Sequence, residues 1–296
     1  MGAIHQVIVC VKQVPEVTEV KIHPETKALI REGVPSIVNP FDEFAVEEAI
    51  RIRERHGGTV VAISMGPPQA EQALNTCLAM GVDEAILLSD KLLIGADTIA
   101  TSYALSKVIE QLGEFEIILC GQQAIDGDTG QVGPGIAENL GIAQVTYVSR
   151  VIIDEPGGKA TLQREIEEGY ELIECKFPVL LSVTKGINEP RFPSKEKPTK
   201  HVRSLCATDL SCDLNRLGME GSYTQVIDIF PPKPRKREGF TIDSRLSAAE
   251  RIGLILSGGV KEKTGEIMEG KPPDQIAEKV TDYLSDRGLI HPEFKA

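Results

Sequence analysis

A chain of 296 residues, of which 41% are hydrophobic, is long enough to bury a substantial core, as one large domain or as one domain with an appendage. Its formal net charge of −12 and its lack of tryptophan argue against a nucleic-acid-binding surface, and the charge also argues against binding to an anionic membrane. No apolar run approaches the roughly 20 residues that cross a bilayer, and the first residues resemble a β-strand rather than a targeting signal, so we expect a cytoplasmic protein without direct membrane insertion.

The first half of the chain alternates strand-like apolar runs with helical patterns. Strands are predicted at residues 7–11, 60–64, 85–88 and 117–120. One helix opens at Asn39-Pro40, where asparagine is a good N-cap and proline suits the first helical position. This helix and the two that follow end at glycines, namely Gly57, Gly81 and Gly113. The alternation predicts an α/β fold with a doubly wound, mainly parallel, Rossmann-like sheet.

The second half changes in character. Residues 148–154 and 159–164 are predicted to form a hairpin, and strands are expected at 170–175 and 178–183, as an antiparallel addition to the sheet. The basic, proline-containing stretch 185–203 is either a solvated loop or an exposed protein-docking loop. Residues 231–237 read as a stiff linker, followed by helices at 247–256 and 274–284. We therefore predict an α/β domain over residues 1–204 and a C-terminal helical arm over 205–296.

Two loops that precede helices carry small and polar residues. The loop after residue 120 places Gly127, Gly130 and Gly133 just before a helix, and such a helix start can receive a phosphate. The spacing is GxxGxxG rather than the GxGxxG dinucleotide fingerprint, so an ordinary strand-to-helix connection remains an alternative. The loop 95–102 has the sequence GADTIATS, in which Asp97 is either a helix cap or part of a ligand site. Both loops would lie at the carboxyl ends of parallel strands, where such sheets bind ligands.

No catalytic constellation is present in the sequence. The five histidines share no motif with a nucleophile, and the six cysteines include no CxxC pair, so neither catalytic nor metal-binding residues are predicted. The carboxylate pairs Glu47-Glu48 and Glu167-Glu168 read as ordinary surface. The residues alone therefore indicate a protein that binds a phosphorylated ligand, with chemistry supplied by a cofactor or a partner.

Four segments together resemble the beta subunit of electron-transfer flavoproteins. In order, they are VCVKQV at residues 9–14, NPFDEFAVEEA at 39–49, GQQAIDGD at 121–128 and NEPRF at 188–192. The resemblance covers roughly residues 5–200. It implies an adenine-nucleotide-binding fold that pairs with an FAD-carrying alpha subunit. The beta subunit itself would bind AMP in simpler members of the family, or a second FAD in electron-bifurcating members.

The resemblance also implies where the cofactor binds. The matching positions are Cys10, Asn39, Pro40, Phe41, Asp42, Met65, Gln122, Gln123, Ala124, Ile125, Asp126, Gly127, Asp128, Thr129, Gly130, Gln131, Val132 and Gly133. The loop 95–102 resembles the GADTxATS motif of bifurcating members and adds Asp97, Thr98, Thr101 and Ser102. This second loop favours FAD over AMP, because a full dinucleotide needs more hydrogen-bond donors than AMP does.

The function implied by the resemblance is electron bifurcation. NADH would reduce this FAD, and the two electrons would part, one toward the alpha-subunit FAD and a flavin-dependent dehydrogenase, the other toward ferredoxin or flavodoxin. The sequence departs from the family at Lys195, where members that serve acyl-CoA dehydrogenases often have leucine. The long C-terminal part is expected to pack on the alpha subunit. The alternatives are a non-bifurcating beta subunit with structural AMP, and a stand-alone nucleotide-binding regulatory or hydrolase-like domain.

Overall fold

The computed structural model describes residues 4–16, 36–154, 158–196, 200–227 and 272–286, together with Ser247 and Ile252. The chain divides into two compact units, Met1–Pro231 and Pro232–Ala296. The predicted linker at 231–237 and most of the predicted helix at 247–256 lie outside the described residues. None of the described helices is long and apolar enough to cross a membrane.

The first unit contains eleven described strands and four described α-helices. The strands are β1 (Gln6–Cys10), β2 (Gln13–Pro15), β3 (Ser36–Val38), β4 (Thr59–Met65), β5 (Glu84–Leu88), β6 (Ile117–Gly121), β7 (Ala143–Ile153), β8 (Lys159–Ile166), β9 (Gly169–Lys176), β10 (Val179–Val183) and β11 (Val202–Leu205). The helices are α1 (Pro40–His56), α2 (Glu71–Met80), α3 (Thr98–Leu112) and α4 (Val132–Leu140). In the second unit, α5 (Pro273–Asp286) closely matches the helix predicted at 274–284.

Nine strands form one sheet in the order β11-β5-β4-β1-β6-β10-β7-β8-β9, and β2 pairs with β3 separately. Every pairing from β11 through β7 is parallel, whereas β7, β8 and β9 pair antiparallel. Antiparallel strands at the edge of a mainly parallel sheet are common in α/β proteins. The predicted α/β architecture is therefore confirmed, with β7, β8 and β9 as its antiparallel addition. The placement of residues 178–183 in that addition is wrong, because β10 pairs in parallel with both β6 and β7.

Helices cover both faces of the parallel part of the sheet. Side chains of β1 alternate between the two faces, so that Val7 and Val9 pack in one core cluster with α1 and α2. Ile8 and Cys10 point into a second cluster with α3 and α4. Strands buried on both faces are nearly continuous apolar runs, and this is why the sequence identified them.

The direction of winding reverses between β1 and β6. From β1 the chain passes through α1 to β4 and then to β5, on one side, whereas β6 is followed by strands on the other side. Such a switch point opens a crevice at the carboxyl ends of the strands, and this crevice is where open α/β sheets bind ligands. The polar segments after β1 and β6 therefore meet at one edge of the sheet.

The first strand of the predicted hairpin starts earlier than the sequence indicated. The strand predicted at 148–154 is β7, which begins at Ala143 and pairs in parallel with β10 before it meets β8. A register shift accompanies Tyr147, whose φ is 56°. Such a bulge lets one strand serve two different pairings.

The segment that follows residue 200 belongs to the first unit. β11 pairs in parallel with β5, although the sequence predicted a loop through residue 203. Beyond it, Ala207, Leu210 and Leu217 are buried in the cluster that contains α3. The predicted boundary after residue 204 falls within β11, and the compact unit extends to Pro231. Residues 205–227 therefore pack on the sheet domain.

Candidate functional site

Asp42 ties together the two strand ends that border the crevice. One carboxylate oxygen accepts a hydrogen bond from the Lys12 amide at 2.8 Å, and the other accepts from the Gly121 amide at 3.2 Å. Asp42 is buried, and this burial raises its pKa to about 7 against the opposing effect of its hydrogen bonds. The first turn of α1 is thus fixed to β1 and β6 at the switch point.

Asn39 occupies the N-cap position of α1, as predicted, but its side chain does not cap the helix. Its amide nitrogen donates to the Gln123 carbonyl at 2.9 Å, and its oxygen accepts from the Ile125 amide at 3.1 Å. Asn39 is fully buried. A buried carboxamide that pairs both its donor and its acceptor with one loop fixes the path of that loop. Its role is therefore to anchor the base of the glycine-rich loop.

The glycine-rich loop, residues 122–131, turns sharply above its anchored base. Asp128 and Gly130 both adopt positive φ values, 57° and 62°. The Asp128 side chain is held by a hydrogen bond from the Gln123 amide group. At its exposed tip, Asp126 accepts a hydrogen bond from Lys12 Nζ at 2.7 Å. The loop is thus tied to the strand ends from both sides of the crevice.

The loop leads into a helix whose first amides have no side-chain cap. Gln131 precedes α4 and makes no capping hydrogen bond. Gly133, in the first turn, lies so close to Cys120 that an added Cβ would be 2.7 Å from its Sγ. An uncapped helix start presents unpaired N–H groups and the positive end of the helix dipole, the combination that binds phosphate.

The start of α3 is capped, in contrast. One oxygen of Asp97 accepts from the amides of Ile99 and Ala100, and the other accepts from the amides of Tyr223 and Thr224. The carboxylate therefore caps the helix and also holds the segment that follows β11. Partial desolvation by itself would raise the pKa of Asp97, but the hydrogen bonds to its carboxylate outweigh this effect and lower the pKa.

The two predicted loops meet through a side-chain contact. The Thr98 hydroxyl at the start of α3 donates to Gln131 Oε1 before α4 at 3.0 Å. Ser102 is also drawn between these helices, where its hydroxyl donates to the Thr98 carbonyl and an added Cβ on Gly135 would be 2.6 Å from its oxygen. The helix starts are therefore adjacent, but the Ser102 hydroxyl is buried in their packing.

The remaining predicted residues occupy three kinds of position. Half-buried residues at the crevice are Pro40, Phe41, Met65, Thr101, Gln122, Ala124 and Val132. The exposed loop positions are Ile125, Asp126, Gly127, Asp128, Thr129 and Gln131. Cys10 and Cys120 pair across β1 and β6 beneath the crevice, and burial raises the pKa of both thiols. No group of acidic, histidine and cysteine residues in the described ranges is arranged to hold a metal ion.

The interpretation of Glu47-Glu48 as ordinary surface is wrong. Both carboxylates are buried in α1, and apart from Arg51 of the same helix their hydrogen-bond partners come from the stretch after β10. Arg191 donates to Glu47 from Nε at 2.7 Å and from its own backbone amide at 3.1 Å, and Asn188 donates to Glu48 at 3.1 Å. Sequence reasoning missed these contacts because the partners lie about 140 residues apart. The NEPRF motif at residues 188–192, which contains Asn188 and Arg191, was the only local sign that this stretch has a specific structure.

Replacing Arg191 with glutamine should release this stretch from α1. Glu47 is buried, and desolvation favours its neutral form, but hydrogen bonds from Arg191 and Arg51 outweigh that effect and lower its pKa. Without Arg191, each oxygen of Glu47 loses a charge-assisted hydrogen bond, although Arg51 still donates to one of them, and we expect a loss of about 2 kcal/mol in the free energy of unfolding. Urea unfolding measures the loss, and hydrogen exchange over residues 188–194 should rise.

Lys195→Gln is the matched control, because Lys195 is an exposed cation on the same stretch. It should change the unfolding free energy by less than about 0.5 kcal/mol. Equal behaviour of the two variants would contradict the anchoring role of Arg191.

The doubly wound sheet, the crevice at its switch point and the uncapped start of α4 define an α/β protein of the nucleotide-binding type. The electron transfer flavoprotein domain matches residues 26–209. The chain is 51% identical to the electron transfer flavoprotein subunit beta of Thermoanaerobacterium thermosaccharolyticum, covering 89% of this chain and 96% of that protein. It therefore belongs to the electron transfer flavoprotein beta-subunit family, as the resemblance predicted.

Two further relatives have more specific names. The caffeyl-CoA reductase-Etf complex subunit CarD of Acetobacterium woodii is 44% identical, over 87% of this chain and 98% of its own length. Protein FixA of Azotobacter vinelandii is 42% identical, over 83% of this chain and 90% of its own length. The chain thus covers nearly the full length of each.

Proposed function

We propose that this chain is the beta subunit of a heterodimeric, electron-bifurcating flavoprotein and binds FAD in the crevice between β1 and β6. It would accept electrons from NADH and deliver them to the alpha-subunit FAD, which serves a dehydrogenase, and to ferredoxin or flavodoxin. The similarity to CarD, named as a subunit of a reductase-Etf complex, supports an assembly with a dehydrogenase-type partner.

The observation that carries the FAD proposal is the contact between Thr98 and Gln131. It places the start of α3 beside the start of α4, so that the polar first turn of α3 and the uncapped amides of α4 border a single extended site. An adenylate group needs one phosphate-binding helix start, whereas a dinucleotide with a second phosphate and a ribityl chain needs further donors. The polar first turn of α3 beside the uncapped start of α4 therefore favours the larger ligand.

The residues around the crevice fit a nucleotide in chemical terms. The amides at the start of α4 would receive a phosphate, and Asn39 anchors the base of the glycine-rich loop that leads to this helix. Gly121 and Gly133 permit approaches to Phe41 and Cys120 that a Cβ would block. When bound, the flavin supplies the electron-transfer chemistry, and the protein binds and orients it.

The stretch 188–194 supports a protein partner. Arg191 and Asn188 fix its backbone to α1, yet the neighbouring Phe192 is 96% exposed. An exposed aromatic side chain on an anchored loop is suited to bind a pocket in another protein with little loss of entropy. We propose that this stretch docks the dehydrogenase, with Lys195 changing its specificity, and that the C-terminal arm packs on the alpha subunit.

A beta subunit with structural AMP is the second candidate, and three sets of contacts favour it. Both oxygens of Asp97 are already occupied, the Ser102 hydroxyl is buried, and the Thr98 hydroxyl donates to Gln131, so three of the four side chains predicted for the larger ligand are engaged within the protein. Thr101 would then be the remaining hydroxyl donor of the second loop.

Counting cofactors in the purified heterodimer separates the two candidates. We expect two FAD molecules and no AMP per heterodimer, measured by absorbance and by chromatography of the released nucleotides. One FAD with one AMP would contradict bifurcation by this chain. Failure to co-purify with an alpha subunit would contradict the heterodimer itself.

A further inference from the structure

We infer that Lys12 binds the phosphate of the bound cofactor, and that it does so by exchanging its partner Asp126 for that phosphate. The inference rests on the proposed function, since it assigns a residue to the same crevice. Lys12 is absent from the set of site residues that the sequence predicted.

The backbone of Lys12 is fixed at the mouth of the crevice. Its amide donates to Asp42 at 2.8 Å, and its carbonyl accepts from the Asn39 amide at 2.8 Å. The residues on which the site is built thus hold both polar backbone groups of Lys12. Only the side chain is free to move, and its ammonium extends to Asp126 in the glycine-rich loop.

Acidic side chains near the crevice would repel a phosphate, so the positive charge of the Lys12 ammonium matters for binding. Asp126 and Asp128 bring two carboxylates to the glycine-rich loop above the strand ends. A phosphate that carries further negative charge would be repelled by these groups unless a cation lies among them. Lys12 is placed to supply that charge, between β1 and the loop after β6.

The present contact with Asp126 is well suited to exchange. The side chains of Lys12 and Asp126 are 49% and 34% exposed, and an ion pair in that environment contributes little net stability. A phosphate offers the ammonium more negative charge and several acceptor oxygens, in addition to the amides of α4. The carboxylate and the phosphate therefore compete for Lys12, and the phosphate should win.

The exchange predicts opposite effects for the two members of one ion pair. In the heterodimer stripped of its beta-site nucleotide, Lys12→Gln should weaken AMP binding about tenfold, because a charge-assisted hydrogen bond to the ligand is lost. Asp126→Asn should raise the AMP affinity, because the competitor for Lys12 is removed. Isothermal titration calorimetry measures both, and the salt dependence of AMP binding should be weaker in Lys12→Gln.

Adenosine provides the decisive comparison, because it lacks the phosphate. Lys12→Gln should bind adenosine as the wild type does. Lys107→Gln is the matched control, since Lys107 forms an exposed 2.7 Å pair with Glu110 on α3. Lys107→Gln should change neither the affinity for AMP nor the affinity for adenosine.

Three results would overturn the inference: unchanged AMP affinity in Lys12→Gln, equal losses for AMP and adenosine, or equal losses in Lys12→Gln and Asp126→Asn. Equal losses for AMP and adenosine would show that Lys12 stabilises the structure of the site rather than binding phosphate. Equal losses in the two variants would show that the Lys12–Asp126 ion pair only fixes the conformation of the glycine-rich loop. A wild-type heterodimer that binds neither AMP nor FAD at this site would instead refute the proposed function.

Discussion

Replacing Gly121 with alanine is expected to destabilise the sheet domain and empty the cofactor site together. An added Cβ would lie 2.5 Å from Asp42 Oδ1 and 2.7 Å from the carbonyl carbon of Phe41. The second contact is to the backbone of α1, so no side-chain rotation relieves it and the helix must shift. Such overpacking costs about 1–3 kcal/mol and here also disturbs the Asp42 clamp. Urea unfolding and retained nucleotide per heterodimer measure the two effects.

Two other glycines of the same region serve as controls. Gly127 has no atom within 4 Å of an added Cβ, so Gly127→Ala should leave the unfolding free energy within about 0.5 kcal/mol of the wild type. The Cβ added by Gly133→Ala would contact only side chains, chiefly that of Cys120. The double variant Gly133→Ala, Cys120→Ala should therefore recover much of the unfolding free energy that Gly133→Ala loses. Equal destabilisation by Gly121→Ala and Gly127→Ala would show that the close approach of α1 is unimportant.

Local signals explain the elements that the sequence predicted well. Helix α1 begins at Pro40 after Asn39, and α3 begins after Asp97, which caps it, one of the two roles that the sequence left open. Both helices end just before the predicted glycines, Gly57 and Gly113. Capping and termination depend on residues a few positions apart, and these are the interactions that a single sequence records.

Long-range pairing explains the elements that the sequence did not predict. β11 has four residues at the edge of the sheet, and only its pairing with β5, more than a hundred residues earlier, makes it a strand. The placement of β10 between β6 and β7 is equally non-local. Short segments with no clear periodicity take their structure from their partners rather than from their own residues.

The candidate site shows the same division. Glycine spacing and the helix start identified the loop, because these are local requirements for binding phosphate. The dual role of Asn39, the burial of Glu47 and the approach of Lys12 to Asp126 all depend on residues brought together by the fold. The contacts of Asp97 with the amides of Tyr223 and Thr224 likewise join distant parts of the chain, so no local pattern predicts them.

Replacing Asp42 with asparagine should change how stability depends on pH. Burial raises the pKa of Asp42 from 3.8 to about 7, so the folded protein binds a proton that the unfolded chain has already released in that interval. The contribution of the protonated acid is therefore fully present below about pH 4 and is lost as the pH rises through 7. Over that window the wild type should lose up to about 4 kcal/mol relative to Asp42→Asn, which does not titrate.

Asp83→Asn provides a control of opposite sign. Partial burial favours the neutral acid of Asp83, but hydrogen bonds from Arg53, the Val60 amide and Lys200 outweigh it and lower the pKa. Its stabilising effect is lost only as the pH falls through that lowered pKa. The difference between this variant and the wild type should therefore stay constant from pH 5 to pH 8.

Urea unfolding at pH 5, 6, 7 and 8 tests the Asp42 prediction directly. The wild-type and Asp42→Asn curves of unfolding free energy against pH should approach or cross as the pH rises. Parallel curves would show that the Asp42 carboxylate is ionised throughout, held by the amides of Lys12 and Gly121.

Because asparagine has one acceptor oxygen for two amide donors, Asp42→Asn should also lose one of the two hydrogen bonds that connect α1 to the ends of β1 and β6. Nucleotide retention should then fall at every pH, and a variant that kept its nucleotide would show that the crevice does not need both strand ends fixed.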